Sequence, residues 1–185
     1  MVWVIVAIVV IAVLVVAGGL ALRRRRSQQL QQRFGPEYDR AVDERGDRRE
    51  AESELQERFT RRQGFEVRDL DPQARDRYAG RWEQAQRNFV DQPAAAVAEA
   101  DGLVTEVMRD RGYPVQQDFE QRAADVSVDH PQVVEHYRAA HGISQDATQG
   151  RAATEDLRQA MVHFRALFAV LLVPDERHAT QSGRR

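Results

Sequence analysis

Asp101 and His141 are the side chains whose type and placement could do chemistry. Asp101 falls on one helical stripe with Val97, Val104 and Met108, so a carboxylate interrupts an apolar face. A carboxylate buried without a partner is costly enough to shift its pKa or distort its surroundings, and an Arg, Tyr or His is expected to meet it. His141 shares a face with Val134 and Tyr137 and qualifies as that partner. Such a buried polar pair is a structural ion pair unless a pocket adjoins it, in which case it could move a proton.

Other routes to catalysis are thin. His136 and His141 stand five apart, on different faces of a helix rather than together on one metal. The chain has no cysteine, which removes disulfides, thiolate zinc sites and cysteine nucleophiles together. No Walker loop, Gly-x-Ser-x-Gly elbow, dinucleotide-binding glycine fingerprint or His-Glu-x-x-His is present. The segments Arg109 to Tyr113 and His130-Pro131 could line a surface groove, but helix endings account for their Gly and Pro without a ligand. No catalytic residue, cofactor-binding residue or metal ligand set emerges, and no cofactor is expected.

The elements that must position Asp101 and His141 are helical. Asp71-Pro72 supplies an N-cap carboxylate and a proline at the first helical position. Ala74, Tyr78, Trp82, Ala85 and Phe89 then recur on one face. Asp91-Gln92-Pro93 opens a second helix that buries Val97, Val104, Val107 and Met108 and stops at Gly112. Asp118 caps a short helix carrying Phe119, Ala123 and Val126. Asp129-His130-Pro131 begins another, with Val133, Val134, Tyr137 and Ala140 inward and Gly142 after its end. A polar loop from Ser144 to Ala153 leads to a last amphipathic helix, capped by Thr154, burying Leu157, Met161, Phe164, Leu167, Phe168, Leu171 and Leu172, and stopped by Pro174.

Ahead of this domain the composition changes twice. Residues 2–22 contain no charged or strongly polar side chain, and at about 1.5 Å per residue they span roughly 32 Å, close to a hydrocarbon thickness of about 30 Å. That pattern predicts a transmembrane helix. Gly19-Leu20-Ala21 resembles a signal-peptide cleavage site, but the positive charges Arg23, Arg24, Arg25 and Arg26 follow the apolar run instead of preceding it. By the positive-inside bias those four membrane-flanking arginines place the amino terminus outside and the rest in the cytoplasm of a bacterial plasma (inner) membrane. Residues 27–63, rich in Arg, Glu and Gln and interrupted at Gly35-Pro36, read as a charged, solvated juxtamembrane stalk. Its apolar stripe is broken by Arg45, Arg49 and Glu52, short of a coiled coil.

The expected fold class is therefore all-α: a transmembrane helix (2–22), a basic flank (23–26), a charged helical stalk (27–63), a linker (64–70), a helical bundle (71–173) and a disordered tail (174–185). Mean hydropathy of -0.60 despite the apolar run implies a small core and long solvated faces. All 27 basic residues among the 185 are Arg, a usage that suggests a GC-rich bacterial genome. Setting aside the four arginines of 23–26 leaves 23 against 29 acids, an acidic remainder poorly suited to nucleic acid.

Residues 71–172 also resemble a family of uncharacterised bacterial single-pass membrane proteins of the GC-rich, actinobacterial type. The resemblance rests on Tyr78, Trp82, Phe89-Val90-Asp91, Pro93, Ala100-Asp101, Leu103-Val104, Val107-Met108, Arg111-Gly112-Tyr113-Pro114 and Ser127-Val128-Asp129-His130-Pro131. It implies a helical soluble domain and carries over no activity, cofactor or catalytic residue. The expected function is a non-enzymatic, membrane-anchored interaction or adapter module, its partners the lipid bilayer and a protein, with homo-oligomerisation unsupported. The alternatives are a membrane-tethered enzyme or small-ligand binder using Asp101 and His141, or an envelope-side protein if the topology is reversed.

Overall fold

The computed structural model describes residues 2–174; side chains at 2, 4–13, 15, 16, 20 and 23 also lie outside the description, as does the predicted tail from 175 onward. Every regular element among the described residues is an α-helix, in agreement with the all-α expectation. The chain forms two compact units, residues 1–56 and 57–185.

The first unit begins with α1 (Val2–Phe34), followed by α2 (Pro36–Arg45) and the start of α3 (Arg48–Gln63). Here the structure corrects the sequence reading. Among the described residues no helix is long and apolar enough to cross a membrane. The predicted span does not stop at Leu22. It continues as one 33-residue helix through Arg24, Arg25 and Arg26 and a glutamine-rich turn to Phe34, so its described part is a mixed, arginine-bearing helix. The single-pass anchorage and the inner-membrane location are overturned by this, and with them the orientation drawn from Arg23 to Arg26.

Residues 27–63 hold more breaks and more buried side chains than a solvated rod would. Besides the turn at Gly35, the chain breaks at Gly46, whose left-handed φ of 66° lets its N–H reach the Val42 carbonyl. Asp47 then accepts the N–H groups of Arg49 at 2.7 Å and Glu50 at 3.1 Å, restarting the helix. Leu30, Phe34, Tyr38, Ala41, Ala51 and Leu55 are buried.

The second unit holds the rest of α3, then α4 (Pro72–Asn88), α5 (Pro93–Asp110), α6 (Phe119–Ser127), α7 (Val134–Thr148) and α8 (Thr154–Leu172). Asp71 caps α4 by accepting the Ala74 N–H at 2.7 Å, and Asp118 caps α6 by accepting that of Gln121 at 2.8 Å. Helix α5 is central, packing on α4, α7 and α8, while α7 and α8 pack on each other. Val97, Leu103, Val104, Val107 and Met108 of α5 meet Phe164, Leu167, Phe168 and Leu171 of α8, and Trp82 stacks on Phe168 with ring centroids 4.7 Å apart. Each such large side chain, fully buried, contributes roughly 1.5–3 kcal/mol.

Three boundaries differ from expectation. The residues from Asp129 to Val133 form turns, and α7 starts only at Val134. Helix α7 also runs through Gly142 to Thr148, so the loop from Ser144 shrinks to 149–153. An interior glycine costs a helix about 1 kcal/mol, but Ile143, Ser144 and Ala147 beyond it are buried or half-buried and offset that cost. Finally, Ala153 rather than Thr154 takes the N-cap of α8, its N–H donating to Asp156 Oδ2 at 2.9 Å. The segment 64–70, expected as a linker along the domain edge, sends Val67 and Leu70 into the core.

Candidate functional site

Asp101 leaves α5 and His141 leaves α7 where the two helices pack. His141 Nδ1 lies 3.4 Å from Asp101 Oδ2, and both side chains are about one-fifth exposed. Helix α6 closes one side: the Phe119 ring stacks face to face on His141, centroids 3.7 Å apart and planes within 5°. Phe119 also tilts against Tyr137, one helical turn before His141. The outer nitrogen of the imidazole, Nε2, is 3.0 Å from Gln145 Nε2, so that Gln145 can donate to it when it is unprotonated. Aromatic stacking and the neighbouring carboxylate together fix the plane of the ring.

Several polar atoms here lack well-formed hydrogen bonds: Asp101 Oδ1, His141 Nδ1, the Tyr137 hydroxyl and Arg122 Nε. Tyr137 is fully buried. Its pKa is raised, first by burial and also by Asp101, while Arg122 and Thr105 act in the opposite direction. Asp101, Thr105, Arg122, Tyr137 and His141 thus form one polar nest roofed by Phe119.

The four membrane-flanking arginines of the sequence reading sit inside α1. Arg24, Arg25 and Arg26 are exposed, and the Arg23 side chain lies outside the described residues. His136 does not join His141. Its Nδ1 lies 2.9 Å from that of His163 on α8, and the rings stack 5.0 Å apart. Burial and the neighbouring imidazole lower the His163 pKa. Among the described residues no group of three or more His, Cys, Asp or Glu could hold a metal ion.

The segment Arg111 to Tyr113 ends α5 in an interior junction and lines no surface groove. Arg111 is 1% exposed. Its guanidinium donates to the Leu171 carbonyl at 2.8 Å and the Arg68 carbonyl at 3.3 Å, and Nη2 reaches Asp69 Oδ1 at 3.4 Å. One cation therefore ties the end of α5, the segment before α4 and the last turn of α8, where a positive charge also suits the helix dipole. Gly112 follows with φ 91°, and a Cβ there would collide with the Glu66 carbonyl oxygen. Tyr113 donates to Asp129 Oδ2 at 2.6 Å, Arg62 pairs with the same carboxylate, and Arg61 Nε reaches the fully buried Asp125 at 2.8 Å. Burial raises the Asp125 pKa against the pull of Arg61, and burial with Asp129 pushes the Tyr113 phenol up.

Sequence reasoning passed over Arg111, although it stands seven, four and three residues after Val104, Val107 and Met108 and so lies on the stripe that exposed Asp101. Pairs such as Arg61 with Asp125 are 64 residues apart and leave no local signal. No family model, curated protein or solved structure matches the chain.

Proposed function

We propose that this chain is a non-enzymatic helical interaction module, in which the second unit is a rigid scaffold and the start of α1 offers the docking surface. The observation that supports it is the exposure of the described large apolar side chains along that helix: Trp3 at 85%, Leu14 at 65% and Leu22 at 69%. Apolar surface repeated along several helical turns marks a surface that binds, and its partner must itself be apolar where it covers α1. Most charged groups buried in the scaffold, among them Arg111 and Asp125, are engaged in holding elements together. Chemical crosslinking in cells of the full chain beside a chain starting at Arg23 tests this. In cells the full chain should form adducts that the shortened one lacks; the same adducts from both, or none from either, would overturn the reading.

A second reading is a small-ligand site at the nest of Asp101, Tyr137 and His141, supported by its unpartnered Asp101 Oδ1. Screening amine and amide fragments by the His141 ring resonances would test it. Shifts abolished by Asp101→Asn would support it, and a ring that no fragment moves would sink it.

A further inference from the structure

The first unit contains a cleft of about 700 Å³ bounded by α1 and the first turns of α3, within the range of roughly 300–1,000 Å³ common to small-molecule sites. Its lining is one-sided in charge. Arg24 and Arg26 come from α1 and Arg48 and Arg49 from α3, against the single carboxylate of Glu52, leaving an excess of three positive charges. Ser27, Gln28, Gln31 and Ser53 add hydroxyl and amide donors.

The arginines divide into two kinds. Arg48 is held: it donates to Ser27 Oγ at 2.6 Å, to the Tyr38 hydroxyl at 2.7 Å and to Glu52 Oε1 at 3.2 Å, and Tyr38 in turn donates to Glu52 at 2.9 Å. Ser27 and Tyr38 are buried, so this network forms a fixed floor. Arg24, Arg26 and Arg49 make no ion pair or side-chain hydrogen bond among the described residues, unlike Arg40 and Arg45, which pair with Glu44 and Glu54 in the same unit. Clustered guanidiniums without counter-ions repel one another, and a bound anion relieves that repulsion. A carboxylate offers two oxygens and one charge. A phosphate offers three or more acceptor oxygens and close to two charges near pH 7, and can meet several guanidinium forks at once.

We infer that the cleft between α1 and α3 binds a phosphate-bearing anion, with Arg24, Arg26 and Arg49 as its unpaired ligands over a floor set by Arg48, Ser27 and Tyr38. The phosphate could be free in solution or carried by a lipid headgroup.

Calorimetric titration of the full chain with inorganic pyrophosphate, and flotation with phosphatidylcholine vesicles containing phosphatidic acid, separate those sources. Arg24→Gln and Arg26→Gln remove a lining charge from exposed positions. Arg25→Gln removes the same charge from the same helix but outside the cleft, and circular dichroism checks that all three remain helical. The expected result is saturable binding to at least one probe, weakened roughly tenfold by either lining variant and less than about twofold by Arg25→Gln. Pyrophosphate binding with that pattern assigns a free phosphate; vesicle binding alone with that pattern assigns a headgroup. Binding to neither probe, or equal losses in all three variants, overturns the site.

Discussion

Arg111 and Asp101 lie on the same apolar stripe of α5, and the chain treats them in opposite ways. Arg111 is enclosed, with its donors spent on the carbonyls of Arg68 and Leu171 and on Asp69. Asp101 is one-fifth exposed, meets His141 with one oxygen and leaves the other without a partner. A buried charge with all its bonds made is an internal tie, whose removal strands carbonyls in the core. A partly solvated pair, each side chain about one-fifth exposed, contributes less to the fold. Enclosure and the number of elements tied, rather than position on an apolar stripe, set Arg111 apart from Asp101.

The largest effect should follow Arg111→Met, which keeps the stem but leaves the ends of α5 and α8 untied. Urea unfolding should show a loss of roughly 3 kcal/mol or more. A loss below about 1 kcal/mol would mean that the junction is not a tie and would dissolve the contrast with Asp101. Next comes Gly112→Ala, in which a left-handed φ and the Glu66 carbonyl both oppose the new methyl; about 1–3 kcal/mol should be lost in the same assay.

A smaller effect concerns pH. His163 has a lowered pKa in the folded chain, so as acid is added the unfolded chain takes up its proton first, near 6.5. Stability from this group is full above that pH and falls as the pH drops through the folded value. The urea midpoint should decline on acidification below 6.5, and His163→Gln should flatten that decline; equal slopes in both chains would contradict the assignment. The smallest effect is expected for Asp101→Asn, below about 1 kcal/mol because the pair is partly solvated. If it instead costs as much as Arg111→Met, the nest is a structural element like the junction.

Much of the second unit was legible because its signals are local. Asp71, Asp118 and Gly112 announced helix ends, and the spacing of Leu157, Met161, Phe164 and Phe168 announced the face of α8. Asp101 and His141 were legible for the same reason: polarity on an apolar stripe is visible in spacing alone. Gly142 misled because a glycine signals a helix end only where packing beyond it is weak, and Ile143, Ser144 and Ala147 supply that packing. The ties of Arg61 and Arg62 to Asp125 and Asp129 join residues distant in sequence and could not be read locally. In the first unit, the apolar composition of residues 2–22 was read as a self-contained span, whereas the helix that contains it runs on through its arginines to Phe34.

The central claim, that the chain binds through the start of α1, is most directly tested by placing a photo-crosslinking residue at Leu14, at Leu22, and at the exposed Glu83 and Arg87 of α4, then irradiating cells that express each full chain. The account predicts adducts from positions 14 and 22 and none from 83 and 87. Adducts confined to α4, or none from α1, would contradict it.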